Sequence, residues 1–258
     1  MCGLVGLLEN QDGARSALIR RMNATITHRG PDEDGYFDDP YIAMGMRRLS
    51  IQDVVHGHQP RFSEDGSIVA MMNGEIYNTE ELRRLLETRG HQILGTGDTE
   101  LLPHLYEEFG LDFVQHLRGM FAIALWDKQS KQLILVRDRL GKKPLYYWLR
   151  DGKISWASEL KALLADPRLP RRPDLTAINH YLSFKYVPAP LSAVENVNKL
   201  PPAHMLVMVD GAVKIHRYWR LNYAPQGVEL AKTDADLTEE LRANLMDAVK
   251  VRMISERP

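Results

Sequence analysis

Three stretches of this chain would be apolar on both faces of the strand they form. Phe121-Ala-Ile-Ala-Leu-Trp126 and Leu133-Ile-Leu-Val136 flank a polar linker, Asp127-Lys-Gln-Ser-Lys-Gln132, and read as a hairpin of buried strands. Residues 2–8, Cys-Gly-Leu-Val-Gly-Leu-Leu, read as a third. A strand without a polar face needs one layer above it and another below. Helical patterns fall between groups of antiparallel strands and not after every strand. This favours α+β over a doubly wound parallel sheet. The expectation is two sheets packed face to face with helices outside.

Other elements fit that plan. Residues 14–26 form a helix pattern with Leu18, Met22 and Ile26 on one stripe. A helix over 78–89 has Asn78 as cap, Glu81 at the capping-box distance and Gly90 as its end. A further helix spans 98–109 with Pro103 inside it, and Ser158 heads a short one. Residues 41–46 and 67–72 read as strands, the second followed at once by Asn73-Gly74, a hairpin-turn pair. Hairpins are expected over 145–157 and 205–218, and a helix over 175–184. Residues 223–232 read as a linker, and 233–254 as an amphipathic helix with Leu237, Leu241, Leu245 and Val249 spaced by four.

Composition removes several function classes. Lys and Arg total 33 and Asp and Glu 34, so no basic excess points to nucleic acid or an anionic membrane. No apolar run approaches the ~20 residues of a spanning helix. The single cysteine excludes an internal disulfide and any zinc site built on paired cysteines, and no metal site is expected; it fits a reducing, cytoplasmic setting.

That cysteine stands at position 2, behind Met1. Removal of Met1 would leave one residue carrying a thiol, with a reference pKa of about 8.5, and a free amine, at about 7.7–8.0. Nucleophile and base would then share a residue, the cysteine analogue of a catalytic N-terminal threonine. A thiolate attacking an amide needs oxyanion donors and a clamp for the substrate's charges. Asn73-Gly74 offers a side-chain amide and an approachable backbone N–H, or is a plain turn. Arg48 offers a fork for a carboxylate and Asp98 an acceptor for an ammonium group, or both are surface charges.

None of these residues is specific alone, but the blocks Cys2-Gly-Leu-Val-Gly6, His28-Arg-Gly-Pro-Asp32, Arg48-Leu-Ser-Ile51, Asn73-Gly-Glu-Ile-Tyr-Asn78, Gly97-Asp-Thr-Glu100, Gly119-Met-Phe-Ala122, Arg137-Asp-Arg-Leu-Gly141 and Ser158-Glu-Leu-Lys161 are specific in their combined order. Together they closely resemble the class II glutamine amidotransferase domain of glutamine-hydrolysing asparagine synthetases, from Cys2 to about Trp219. The resemblance implies an N-terminal nucleophile hydrolase fold, an αββα four-layer sandwich of two mostly antiparallel sheets. It implies hydrolysis of L-glutamine to glutamate and ammonia through a γ-glutamyl thioester on Cys2, whose own amine is the base. Asn73 and the Gly74 N–H would form the oxyanion hole. Arg48 would hold the glutamine carboxylate, Glu75 and Asp98 its amino end, and Leu49, Ser50, Ile51 and Gln52 would continue the binding segment.

The same resemblance divides the chain into a glutaminase domain over 2–222, the linker, and 233–258 as the first helix of a synthetase domain. That domain's Ser-Gly-Gly-x-Asp-Ser loop is absent from these residues. No cofactor is expected here. ATP and Mg belong to the synthetase domain, which is the expected partner, and relatives imply a homodimer. Two other readings stay open: the same glutaminase feeding a different acceptor, in polysaccharide or secondary-metabolite pathways, and a non-catalytic scaffold.

Overall fold

The computed structural model describes residues 1–9, 14–223, 232–253 and Glu256. In chain order the elements are β1 (Gly3–Leu8), α1 (Ala14–Ala24), β2 (Glu33–Asp38), β3 (Ile42–Arg48), β4 (Arg61–Phe62), β5 (Ile68–Ile76), α2 (Thr79–Thr88), α3 (Leu101–Phe109), β6 (Gly119–Asp127), β7 (Gln132–Arg137), β8 (Tyr146–Arg150) and β9 (Lys153–Ala157). There follow α4 (Leu160–Leu163), α5 (Leu175–Phe184), β10 (Val197–Lys199), β11 (His204–Val209), β12 (Ala212–Arg217) and α6 (Asp234–Lys250). The strands form two six-stranded sheets, ordered β10-β8-β9-β1-β3-β2 and β12-β11-β7-β6-β5-β4. Every ladder between the named strands is antiparallel.

The doubly apolar strands have the layers they require. Between the sheets, Leu4, Met44 and Trp156 of one meet Met71, Ala124, Trp126 and Leu135 of the other. Gly6 makes room for this packing, because a Cβ there would run into the Trp156 ring. On the outer face of the first sheet, Val5 and Leu7 pack on Leu18, Met22 and Ile26. On the outer face of the second, Met72, Ile123 and Ile134 pack on Leu82, Leu101 and Leu105 of α2 and α3. The result is an αββα four-layer sandwich.

Several local expectations change. Asn73-Gly74 is no turn: β5 runs nine residues straight through it, paired with β6 as far as Ile76 opposite Gly119. Gly74 is needed for close backbone approach, since a Cβ there would meet Met120 O and the Phe121 Cα. Asn78 makes no side-chain cap, because its amide instead bridges to His116 O and Arg118 N. Ser158 does not cap α4 either. Its Oγ accepts from Leu4 N at 2.9 Å and its own N–H donates to Leu4 O at 2.8 Å, which ties β9 to β1. The first helix stops at Ala24, and a single tight turn over Thr27–Arg29 carries the chain into the Gly30 loop.

Of the linker over 223–232, residues 224–231 lie outside the described residues. The last helix has a full capping box, with Thr233 and Asp236 bonded in both directions, but it ends at Lys250 and not at Ile254, which itself lies outside the described residues. Its apolar stripe is uncovered: Leu241, Leu245 and Val249 are each more than half exposed. Among the described residues, no helix is long and apolar enough to cross a membrane.

Candidate active site

Ladder register builds the site. Gly3 pairs with Arg47, so Cys2, one residue earlier, falls beside Arg48 and Leu49 at the end of β3. Leu49 N donates to Cys2 Sγ at 3.4 Å, and the thiol faces Leu49 O at 3.7 Å. Arg29 fixes the backbone here: its Nε donates to Cys2 O at 2.8 Å while Nη1 reaches Glu159 at 2.9 Å. Gly30 lets this loop lie against β3, for a Cβ would strike the Arg47–Arg48 peptide. Asp32 then accepts from Ser50 N at 2.8 Å. The His28-Arg-Gly-Pro-Asp32 block is thus the frame that holds Cys2 and the 48–52 segment together.

In the facing sheet, β5 presents Val69, Met71, Asn73 and Glu75 on its inner side, by the two-residue alternation of a strand. The first two enter the inter-sheet core. Asn73 and Glu75 reach a cavity of about 350 Å³ whose wall also includes Cys2, Arg48, Leu49, Ile51, Gln52, Gly74, Asp98 and Lys143. Asn73 is 1% exposed, and neither its Nδ2 nor its Oδ1 has a hydrogen-bond partner. An unpaired buried amide costs about 1–3 kcal/mol, which a bound ligand can recover.

The free edge of β5 supplies the second donor. Met72 N donates to Gln59 Oε1 at 2.7 Å, and Ile76 N donates to Asp98 Oδ2 at 2.9 Å. Both amides point away from β6. Gly74 N–H lies between them, points the same way, and faces the cavity.

The acidic end is electrostatically loaded. Burial, and next the charge of Asp98, push the Glu75 carboxyl up to about 7, although Gln52 Nε2 donates to it at 2.7 Å. Burial also raises Asp98. A half-buried carboxyl raised by the charge of a second one beside it is a place where a cation is favoured. Asp53 positions the Asp98 loop, its Oδ2 accepting from Thr96 N and Gly97 N at 3.2 and 2.9 Å.

Burial pushes the Cys2 thiol up, and burial likewise draws the neighbouring Met1 amine down. The nucleophile is therefore held as a thiol in the resting site. The Lys143 ammonium stands near both: burial lowers it, while Cys2 and Glu75 pull it back up.

Of the residues singled out in the sequence, Cys2, Arg48, Leu49, Ile51, Gln52, Asn73, Gly74, Glu75 and Asp98 line this one cavity. Ser50 does not; it is buried and its amide is held by Asp32. The Arg48 guanidinium is already engaged. Nη1 meets Glu33, and Nη2 donates to Gln52 O at 2.9 Å and Asp53 O at 2.7 Å. Against the cost of burial, Arg48 and His58 hold the Glu33 carboxyl below its usual range. Sequence reasoning missed Gln59, Lys143 and the Arg61–Glu100 ion pair at 3.0 Å, all in the cavity wall. Lys143 was within reach of it, two residues beyond the Arg137-Asp-Arg-Leu-Gly141 block.

The chain is similar to several known proteins. Asparagine synthetase (glutamine-hydrolyzing) 1 of Bacillus subtilis (strain 168) is 38% identical over 266 residues, covering 100% of this chain and 41% of that protein. Asparagine synthetase (glutamine-hydrolyzing) 2 of the same organism is 45% identical over 177 residues, 67% of this chain and 23% of that protein. The chain thus spans less than half the length of these relatives. The fold matches that of glutamine phosphoribosylpyrophosphate amidotransferase from B. subtilis complexed with ADP and GMP. The TM-score is 0.61 at 19% identity, over 84% of this chain and 49% of that one. A family model described as a glutamine amidotransferase domain matches residues 1–219, and the chain belongs to that family.

Proposed function

We propose that this domain hydrolyses L-glutamine to glutamate and ammonia through a γ-glutamyl thioester on Cys2. One observation carries the reading. The Cys2 thiol opens into a cavity that also holds an unpaired buried amide at Asn73, the open Gly74 N–H and a pair of mutually repelling carboxyls.

With Met1 removed, the Cys2 amine takes the thiol proton as sulfur bonds to the carboxamide carbon. The carbonyl oxygen becomes an oxyanion that accepts from Asn73 Nδ2 and Gly74 N–H. As the C–N bond breaks, the amine returns the proton to the departing nitrogen and ammonia leaves. Water then cleaves the thioester, releasing glutamate and restoring the thiol. The substrate ammonium sits between Glu75 and Asp98. Its carboxylate competes with Glu33 for Arg48. Each donor in such a hole is worth roughly 10²–10³ in kcat.

The ammonia passes to a synthetase domain, where aspartate, ATP and Mg would yield asparagine. Similarity to the glutamine-hydrolysing asparagine synthetases of Bacillus subtilis supports this step. A chain with one cysteine supports a cytoplasmic setting for the reaction. The test uses protein shown by mass spectrometry to lack Met1. Glutamate should be released from glutamine, and a diazoketone analogue of glutamine should add its mass to Cys2. Cys2→Ala should abolish both. Glutamine turnover by Cys2→Ala, or labelling elsewhere, would sink the proposal.

A further inference from the structure

Outside the Cys2 cavity, where α2 and α3 meet the turn between β4 and β5, four side chains converge. Glu64 comes from that turn, His91 from the loop after α2, and His104 and Glu107 from α3. One ligand atom of each lies within 4.8 Å of all the others. Glu64 spans the two imidazoles, with Oε1 3.1 Å from His91 Nδ1 and Oε2 2.9 Å from His104 Nδ1. Glu107 Oε2 lies 3.9 and 3.5 Å from the same two nitrogens. Tetrahedral zinc, with Zn–N near 2.0–2.1 Å and Zn–O near 2.0–2.2 Å, sets neighbouring donor atoms roughly 3.3–3.5 Å apart. The four histidine–carboxylate separations, 2.9–3.9 Å, bracket that spacing, and the other pairs lie within 4.8 Å.

Two further observations point to a ligand. His104 is 2% exposed, and its Nδ1 makes no hydrogen bond although Glu64 is so near. A buried ring nitrogen aimed at a carboxylate with no bond between them is the arrangement a shared cation completes. On the other side of His91, Nε2 stands 3.2 Å from Glu108 Oε1, and Glu108 is held in turn by Arg89. A carboxylate behind a histidine fixes the tautomer whose free nitrogen points inward, as metal-ligating histidines require.

We propose that Glu64, His91, His104 and Glu107 bind one divalent transition-metal ion, zinc by preference. Two imidazoles with two carboxylates suit zinc better than magnesium or calcium, which take oxygen ligands. Four protein ligands leave no open position, so the ion is structural. It would join the β4–β5 turn, the loop after α2 and α3, and so brace the segment that carries Asp98.

The test uses the full chain, stripped with a chelator and desalted, then titrated with Zn²⁺ or Co²⁺. The expected result is one equivalent per chain that survives desalting, with a melting temperature raised by several degrees. Co²⁺ should give four-coordinate visible bands without a thiolate charge-transfer band, and Cys2→Ala should bind equally. His91→Gln and Glu107→Gln, both at partly open positions, should keep their circular dichroism and glutaminase rate while losing at least about tenfold in metal affinity. No retained metal in the unaltered chain, undiminished binding in both variants, or loss of binding in Cys2→Ala would each overturn the proposal.

Discussion

The two halves of β5 share a partner strand and differ in everything else. From Ile68 to Met72 every residue is apolar and at most 5% exposed. From Asn73 to Ile76 the same strand, on the same partner, carries an unpaired amide, a glycine and an acid. The difference lies on the other edge. β4 covers β5 at Val69 and Ala70, and Gln59 stands in for it at Met72. Beyond that point Asp98, through Ile76 N, is what finishes the edge among the described residues. Where the ladder is complete the strand is core, and where it is left open the unspent backbone and side-chain groups become chemistry.

Substitutions on the inner face should separate the halves. Asn73→Ala should lower kcat by roughly 10²–10³-fold with little change in KM and no loss of melting temperature, because the amide it removes bonds to nothing in the free protein. Steady-state kinetics beside a thermal melt checks this; a falling melting temperature would make Asn73 structural after all. Met71→Ala, one inner position earlier and 1% exposed, should do the reverse, costing about 2–4 kcal/mol in denaturant unfolding while the folded fraction keeps its kcat.

Glu75→Gln should show a smaller, mixed effect. It removes repulsion from Asp98 but also half of the ammonium site, so KM should rise about tenfold while stability improves. A carboxyl held at about 7 in the fold, against 4.5 outside it, weakens the fold increasingly as pH climbs between those values. The stability gain of Glu75→Gln should therefore be full above pH 7 and vanish below about pH 4.5, read as melting temperature against pH. In the unaltered protein, glutamine KM should rise as pH falls below 7, because binding then has to expel a proton. Glu75→Gln should flatten that limb. A KM limb unchanged by the substitution would remove Glu75 from the site.

The four layers were legible because strands such as 121–126 have no polar face and because the helical patterns fall between groups of antiparallel strands and not after each one. Much of the cavity was legible through the ordered motif blocks. The extension of β5 was not, because the pair Asn73-Gly74 carries a local turn signal while the need for Gly74 comes from Phe121, far along the chain. β2 escaped because Glu-Asp-Gly-Tyr-Phe-Asp at a sheet edge has no alternation to read. The Glu64–His91–His104–Glu107 cluster has only the Glu107 spacing in sequence; the rest is made by the meeting of α3 with the β4–β5 turn. Ser158 and Asn78 looked like caps because each precedes a helix, yet each serves a distant strand or loop.

The Arg29 bond to the Cys2 carbonyl has a practical result at the bench. It pins the backbone on the inward side of residue 2, so anything attached upstream must leave through the opening by which substrate enters, where Met1 already lines the wall. A purification handle fused ahead of Cys2 would stand in that doorway, and one that leaves even a single scar residue after cleavage would cap the amine. Affinity handles for this domain belong at the other terminus.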